Sequence, residues 1–109
     1  MKNYIYENCI ISKVVDGDTI HLNIDLGFDV WRKLILRLAY INAPELKGKT
    51  YQQGLESKNF LSELIPIGTV VKFKCIGKDK YGRWIGEIYK EDNLINQIML
   101  DNNKAERYE

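Results

Sequence analysis

A β-hairpin is predicted over residues 11–24, ISKVVDGDTIHLNI. Asp16-Gly17 is a favoured dipeptide for a tight turn between antiparallel strands. After the turn, residues 19–24 alternate between apolar and polar side chains, which is the pattern of a strand with one buried face. Before it, residues 4–15 are rich in Ile, Val and Tyr, as strands are. These two strands are therefore expected to begin a β-rich fold.

The same reasoning predicts three more strands, over residues 30–40, 70–76 and 84–89. Leu34, Leu36 and Leu38 are expected to face inward, with Arg37 on the opposite face. The first three strands then form an antiparallel meander.

Two helices are predicted between and after these strands. Thr50 and Gln53 have the spacing of a capping box, so the first helix is expected to start at Thr50, and Pro66 ends it. The second helix is predicted over residues 94–100, with Asn93 as its N-cap.

The order of these elements predicts an OB-fold, a five-stranded Greek-key β-barrel with helices. One helix is expected between strands three and four and a second after strand five. The chain has 109 residues, which suits a single domain over residues 1–109.

The composition is that of a globular protein, with 45% hydrophobic and 28% charged residues and a net charge of +1. No apolar run approaches the roughly 20 residues that a transmembrane helix needs, so no membrane association is expected. The N-terminal residues are too polar for a signal peptide, which predicts a cytoplasmic protein as given, or a secreted one if a leader has been removed.

Cys9 and Cys75 lack the spacing of a zinc site and are expected in reduced form, unless their strands are neighbours and allow a disulfide.

Three short motifs carry the residue types that phosphodiester hydrolysis requires. Such a reaction needs a cation near the phosphate, a base or water-orienting group, and donors for the charged transition state. Carboxylate and carbonyl oxygens suit calcium, and arginine binds phosphate oxygens in a bidentate fork. The motifs are Asp16-Gly17-Asp18-Thr19, then Arg37 followed by Asn42-Ala43-Pro44-Glu45, and Asp79-Lys80-Tyr81-Gly82-Arg83.

Each motif also has a purely structural explanation. The first is a hairpin turn, Pro44 would end a strand in any protein, and residues 79–83 form a hairpin tip. Arg37 could be a surface residue on the outward face of its strand. No single motif therefore decides the function.

Together, in this order and spacing, the motifs resemble the staphylococcal nuclease (thermonuclease-like) family, from about Ile11 to Asn103. The resemblance implies a nuclease with one bound calcium ion that hydrolyses DNA and RNA, preferably single-stranded, and leaves 3′-phosphates. It also implies endonuclease activity and a monomer.

The resemblance assigns a role to ten residues. Those assigned to the metal are Asp18 as direct ligand, Asp16 in the outer shell, Asn42 and the carbonyl of Ala43. Those assigned to catalysis are Arg37 and Arg83, which would bind the phosphate, and Glu45, which would act as general base or orient water. Those assigned to the substrate are Lys80, Tyr81 and Tyr108.

One residue departs from the family pattern. Asn42 stands where the family has its second metal-binding carboxylate. Losing a unit charge beside the ion is expected to weaken calcium binding by about ten- to a thousand-fold. An alternative function is therefore a weakly active or inactive OB-fold module that binds nucleic acid, and a third is a protein-interaction module.

Overall fold

The computed structural model describes residues 4–108, which contain five long strands, three short strands and two helices. The long strands are β1 (Tyr4–Asp16), β2 (Thr19–Asp25), β3 (Trp31–Leu38), β5 (Val70–Lys78) and β6 (Trp84–Lys90). The short strands are β4 (Ile41–Asn42), β7 (Asn93–Leu94) and β8 (Glu106–Arg107). The helices are α1 (Tyr51–Leu64) and α2 (Ile95–Asp101), with a 3₁₀ turn (Gly48–Thr50) before α1.

The five long strands close into a barrel. They run in the order β3-β2-β1-β5-β6, with all of these neighbours antiparallel. A parallel pairing of β3 with β6, from Leu36 opposite Trp84 to Leu38 opposite Gly86, joins the two ends. The predicted five-stranded barrel with two helices is confirmed.

The core fills the inside of this barrel. Side chains alternate along each strand, so Leu34, Leu36 and Leu38 of β3 are buried as predicted. Cys9 and Cys75 are also buried, and both are free thiols. Their strands are neighbours, but the register puts Cys9 opposite Val71 rather than opposite Cys75. The conditional expectation of a disulfide therefore fails because of the register.

The first helix starts as predicted, whereas the second does not. Thr50 is the N-cap of α1, but its side chain makes no capping hydrogen bond, and its hydroxyl donates instead to the carbonyl of Glu45 at 2.8 Å. Asn93 belongs to β7, and Leu94 is the N-cap of α2. Asn103 has φ 56°, the left-handed conformation common after a helix. Neither helix of residues 4–108 is long and apolar enough to cross a membrane.

Asn96 of α2 holds the barrel to the segment that follows β3. Its side chain is 3% exposed, and its Oδ1 accepts the N–H of Ile88 at 3.1 Å. Its Nδ2 donates to the carbonyls of Ala39 at 3.0 Å and Gly86 at 3.1 Å. Asn96 thus satisfies buried backbone groups on both sides of the β3–β6 closure.

Replacing Asn96 with alanine is expected to destabilise the protein by about 2–4 kcal/mol, because buried backbone groups lose their partners. Urea unfolding monitored by tryptophan fluorescence measures this change. The control is Asn93→Ala, since Asn93 is exposed and makes one long hydrogen bond, to the carbonyl of Glu91 at 3.3 Å. Equal stability of the two variants would contradict a structural role for Asn96.

Candidate active site

The turn between β1 and β2 places Asp18 in the protein interior. Oδ1 of Asp16 accepts the N–H of Asp18 at 3.0 Å, which fixes the turn. A Cβ on Gly17 would lie 2.7 Å from Cβ of Ala43, so only glycine lets the turn pack this closely on the segment after β4. Asp18 is 7% exposed; its Oδ2 accepts the N–H of Ala43 at 2.9 Å, and its Oδ1 accepts the hydroxyl of Thr19 at 3.0 Å.

The Arg37 guanidinium is fixed by several acceptors. Nη1 donates to the carbonyls of Ile41 at 2.9 Å and Leu38 at 3.2 Å. Nη2 donates to Oδ1 of Asn42 at 3.1 Å and lies 3.5 Å from Oδ2 of Asp18. The side chain lies on the outward face of β3, as the alternative had it, but it is only 13% exposed. The reason is that β4 folds back over Arg37 and supplies carbonyl acceptors.

Tyr108 lies against Arg37. The backbone N–H of Tyr108 donates to the carbonyl of Tyr40 at 2.8 Å, next to the antiparallel pairing of β4 with β8. This pairing brings the Tyr108 ring over the guanidinium of Arg37, with 5.1 Å between Cζ and the ring centroid. That distance suits a cation–π contact.

Glu45 follows β4 on a loop that α1 supports. Its carbonyl accepts the hydroxyl of Thr50, and a Cβ on Gly54 of α1 would lie 2.7 Å from that carbonyl oxygen. Glycine at 54 therefore lets α1 approach the loop backbone. The Glu45 side chain is 71% exposed, and Oε2 lies 3.7 Å from Nζ of Lys47.

Asp79 shapes the hairpin tip between β5 and β6. Its Oδ1 accepts the backbone N–H groups of Tyr81 at 2.8 Å and Arg83 at 3.0 Å, and its Oδ2 accepts Nε of Arg83 at 2.7 Å. Desolvation acts to raise the pKa of Asp79, but these hydrogen bonds and the Arg83 charge lower it overall. Arg83 and Lys80 both lie over the ring of Tyr81, which is 73% exposed.

The electrostatics of the turn between β1 and β2 are unusual. Burial raises the pKa of Asp16 to about 6, and a side-chain hydrogen bond with Asp18 and repulsion from its charge act in the same direction. The neighbouring Asp18 carboxylate therefore favours the neutral form of the Asp16 carboxyl group.

The predicted residues fall into three groups. Asp16, Asp18, Arg37, Asn42 and Ala43 form one connected network, which Tyr108 covers. Glu45 lies on the loop after β4, and Lys80, Tyr81 and Arg83 lie at the hairpin tip. Within residues 4–108, no side-chain hydrogen bond or ion pair connects any two of these groups.

Sequence reasoning gave no role to Thr19 or Asp79, which orient Asp18 and Arg83. Both lie inside the motifs, directly beside an assigned residue, and their polar side chains at these positions could have identified them. Residues 4–108 hold no cluster of three or more His, Cys, Asp or Glu side chains that could bind a metal ion. A cation at Asp18 would therefore have few charged ligands.

A groove of about 440 Å³ lies beside this network. Asn42, Ala43 and Pro44 form one side, and α1 and the chain after α2 form the rest. The lining residues from those two segments are Thr50, Gln53, Glu56, Ser57, Asn103, Lys104, Ala105 and Glu106. Two of the expected metal ligands, Asn42 and Ala43, therefore border the groove.

The chain is similar to several nucleases. It is 32% identical over 100 residues to an uncharacterized endonuclease of Escherichia coli O157:H7, covering 91% of this chain and 60% of that protein. It is 40% identical over 74 residues to a probable staphylococcal-like nuclease of Oryza sativa subsp. japonica, covering 68% of this chain and 19% of that protein. An uncharacterized endonuclease of Haemophilus influenzae is 33% identical over 100 residues, covering 92% of this chain and 52% of that protein. The chain thus spans 60% or less of the length of these relatives.

A family model agrees with these similarities. The model described as staphylococcal nuclease homologue matches residues 35–109, which include Arg37, the segment from Asn42 to Glu45 and the hairpin tip. This chain belongs to the staphylococcal nuclease homologue family.

Proposed function

We propose that this chain is a calcium-dependent endonuclease that hydrolyses phosphodiester bonds of single-stranded DNA and RNA and leaves 3′-phosphates. The observation that carries the proposal is the fixed guanidinium of Arg37 beside the carboxylate of Asp18 and the amide of Asn42. Membership of the nuclease family and the nuclease names of the relatives support it. We also propose that residues 1–109 act as one domain and as a monomer.

The oxygen atoms around Asp18 suit a calcium ion. Calcium takes carboxylate, amide and carbonyl oxygens. Asp18, Asn42 and the carbonyl of Ala43 supply these, with Asp16 farther out. Oδ1 of Asp18 accepts the Thr19 hydroxyl, and Oδ2 accepts the Ala43 N–H and lies beside Arg37. The donor set fits the ion, although it has little negative charge. When bound, calcium would neutralise charge on the scissile phosphate and polarise its P–O bond.

Arg37 and Arg83 would stabilise the transition state. Arg37 uses three N–H donations on the carbonyls of Leu38 and Ile41 and on Asn42, which fixes the plane of its guanidinium. Its other donors can bind phosphate oxygens without a further loss of side-chain entropy. Asp79 orients Arg83 in the same way.

Glu45 would orient and deprotonate the attacking water. Its backbone is fixed by Thr50, while its carboxylate is exposed and has only the surface partner Lys47 within residues 4–108. A carboxylate in this state is available as a general base. Tyr81, Lys80 and Tyr108 would contact the nucleotides on either side of the phosphate, through ring faces and positive charge.

One observation favours a second candidate, a nucleic-acid-binding module without catalysis. Asn42 brings no charge, and its Oδ1 already accepts a hydrogen bond from Arg37. If this contact persists with substrate, the cation site loses a ligand while the phosphate-binding arginines remain.

The test of the proposed function is cleavage of a labelled single-stranded DNA and an RNA of the same sequence. We expect both to be cut with calcium at millimolar rather than micromolar concentration, because the site has few charged ligands. Excess chelator should abolish cleavage, and the products should end in 3′-phosphates. Full activity in chelator would contradict the metal mechanism, and binding without cleavage under every divalent cation would favour the binding module.

Replacing Asn42 with aspartate is expected to tighten calcium binding by up to about ten- to a thousand-fold, because it adds a charge beside the ion. The gain would shrink if Asp25 or Asp29 reached the site, but both lie at the end of β2 and the start of β3, away from Arg37. Asp25 pairs with Trp31 at the far end of β2, whereas Thr19 pairs with Arg37 at the near end. Part of the gain will be lost to a new ion pair with Arg37.

Calorimetric titration with calcium measures the effect of Asn42→Asp. The control is Asn59→Asp, which adds the same charge at an exposed position of α1. Equal calcium affinity of wild type and Asn42→Asp would mean that position 42 lies outside the metal site.

A further inference from the structure

The hairpin of β2 and β3 ends in a turn that hydrogen bonds hold in place. The N–H of Leu26 donates to the carbonyl of Val30 at 2.8 Å, and the N–H of Val30 donates to the carbonyl of Gly27 at 2.9 Å. Oδ1 of Asp25 accepts the N–H of Gly27 at 2.8 Å, while its Oδ2 accepts Nδ2 of Asn8 at 3.0 Å. The turn is therefore tied both across the hairpin and to β1.

This turn presents apolar side chains to solvent. Phe28 is 99% exposed, and Leu26, Val30 and Trp31 are each about half exposed. We call these four residues the apolar tip. Because a side chain with 99% exposure contacts almost nothing in its own chain, the apolar tip is a projection with Phe28 at its apex, not a cavity.

The backbone at the apex is unfavourable for a bulky residue. Phe28 has φ 57°, in the left-handed region that large side chains rarely adopt. Gly27 before it and Asp29 after it also have positive φ, at 82° and 62°. The fold thus holds an aromatic ring in a strained conformation where it gains no packing. A strained and fully exposed residue of this kind indicates a role in contacting another surface.

The side chains that follow the apex change in the order that a bilayer presents. Trp31 begins β3, and the exposed cations Arg32 and Lys33 come next, with Lys33 about 7 Å along the strand from Trp31. Neither cation has a carboxylate within 4.0 Å among residues 4–108. Tryptophan favours the interface above the acyl chains, and anionic headgroups attract lysine and arginine.

The size of the apolar tip also favours a membrane over a protein partner. A stable protein interface buries about 800 Å² on each partner, which is more than four side chains at the end of one hairpin supply. Insertion into a membrane surface has no such minimum, because affinity increases with each apolar side chain and each cation that reaches the interface.

We propose that the apolar tip inserts into the surface of a membrane that contains anionic lipids, with Arg32 and Lys33 against the lipid phosphates. Such a contact needs no membrane-spanning helix. Asp29 lies beside Phe28, and its charge opposes deep insertion, so the contact is shallow and reversible.

The first test measures cosedimentation with vesicles of equal parts phosphatidylcholine and phosphatidylglycerol. Phe28→Asn should lower the affinity for these vesicles about tenfold or more, because the exposed ring is lost. It should not lower the melting temperature, since asparagine adopts a positive φ readily. The matched control is Ile67→Asn, which removes an exposed apolar side chain from the loop after α1 and should bind within about twofold of wild type.

Charge variants test the contact with the headgroups. Arg32→Gln/Lys33→Gln should lower the affinity for the mixed vesicles about thirtyfold and leave binding to phosphatidylcholine alone unchanged. Lys47→Gln/Lys49→Gln removes the same charge from exposed positions before α1 and should have little effect. Asp29→Asn should raise the affinity for the mixed vesicles about fivefold.

Fluorescence quenching locates the part of the protein that touches lipid. Brominated phosphatidylcholine in the mixed vesicles should quench the fluorescence of wild type, and Trp31→Phe should still bind but lose this quenching. Equal vesicle affinity of Phe28→Asn and Ile67→Asn would overturn the proposal, as would a wild type that does not bind the mixed vesicles. A dimer or an oligonucleotide complex that Phe28→Asn disrupts, with vesicle binding unchanged, would also overturn it.

Discussion

Arg37→Lys is expected to lower kcat by about 10²–10³, the effect of losing one oriented transition-state donor. An ammonium group cannot reproduce a planar fork that contacts the Ile41 carbonyl, Asn42 and a phosphate at once. Single-turnover cleavage with saturating calcium measures the loss. Arg83→Lys should behave in the same way, because it breaks the Nε contact with Asp79.

The control for Arg37→Lys is Arg32→Lys, an exposed position on the same strand. Circular dichroism and thermal unfolding of each variant separate lost catalysis from lost folding, which matters because the Arg37 side chain is largely buried. Near-normal turnover of Arg37→Lys in a folded protein would exclude a catalytic role for its guanidinium.

Glu45→Gln is expected to slow the chemical step by about 10²–10⁴, the usual loss when a general base is removed. Glutamine keeps the size of the side chain but cannot accept a proton from water. Calcium affinity and oligonucleotide binding should change little, since among residues 4–108 the only ion pair of the Glu45 carboxylate is with Lys47. Rates at saturating substrate and calcium measure the effect.

Glu63→Gln, at an exposed position near the end of α1, is the matched control for the lost charge. An unchanged kcat in Glu45→Gln would remove Glu45 from the mechanism and leave water activation to Asp16 or to bulk hydroxide.

The strands of the barrel were predictable because each is long and shows local alternation. Residues 19–24 and the inward leucines of β3 are examples. The short strands β4 and β8 were missed, because two-residue strands from distant segments leave no local pattern. Thr50 is the N-cap of α1 as predicted, but the expected capping hydrogen bond is absent, because its hydroxyl donates to the carbonyl of Glu45 in the preceding loop.

The candidate site was predictable only where its residues lie in short motifs. Asp18 and Asn42 were identified from the motifs, but their connection through Arg37 depends on β4 folding back over β3. The contact of Tyr108 with Arg37 likewise depends on the pairing of β8 with β4. These contacts arise from tertiary structure, so local motifs could suggest candidate residues but not how they are held.

The proposed calcium-dependent hydrolysis takes place at Arg37 and Glu45. The most direct measurement compares cleavage of single-stranded DNA by wild type and by Arg37→Lys/Glu45→Gln, purified identically, with calcium and with chelator. Wild type is expected to cut the DNA only with calcium, and the double variant to remain folded, bind the DNA and not cut it. Equal cleavage by both proteins, or no cleavage by wild type with any divalent cation, would contradict it.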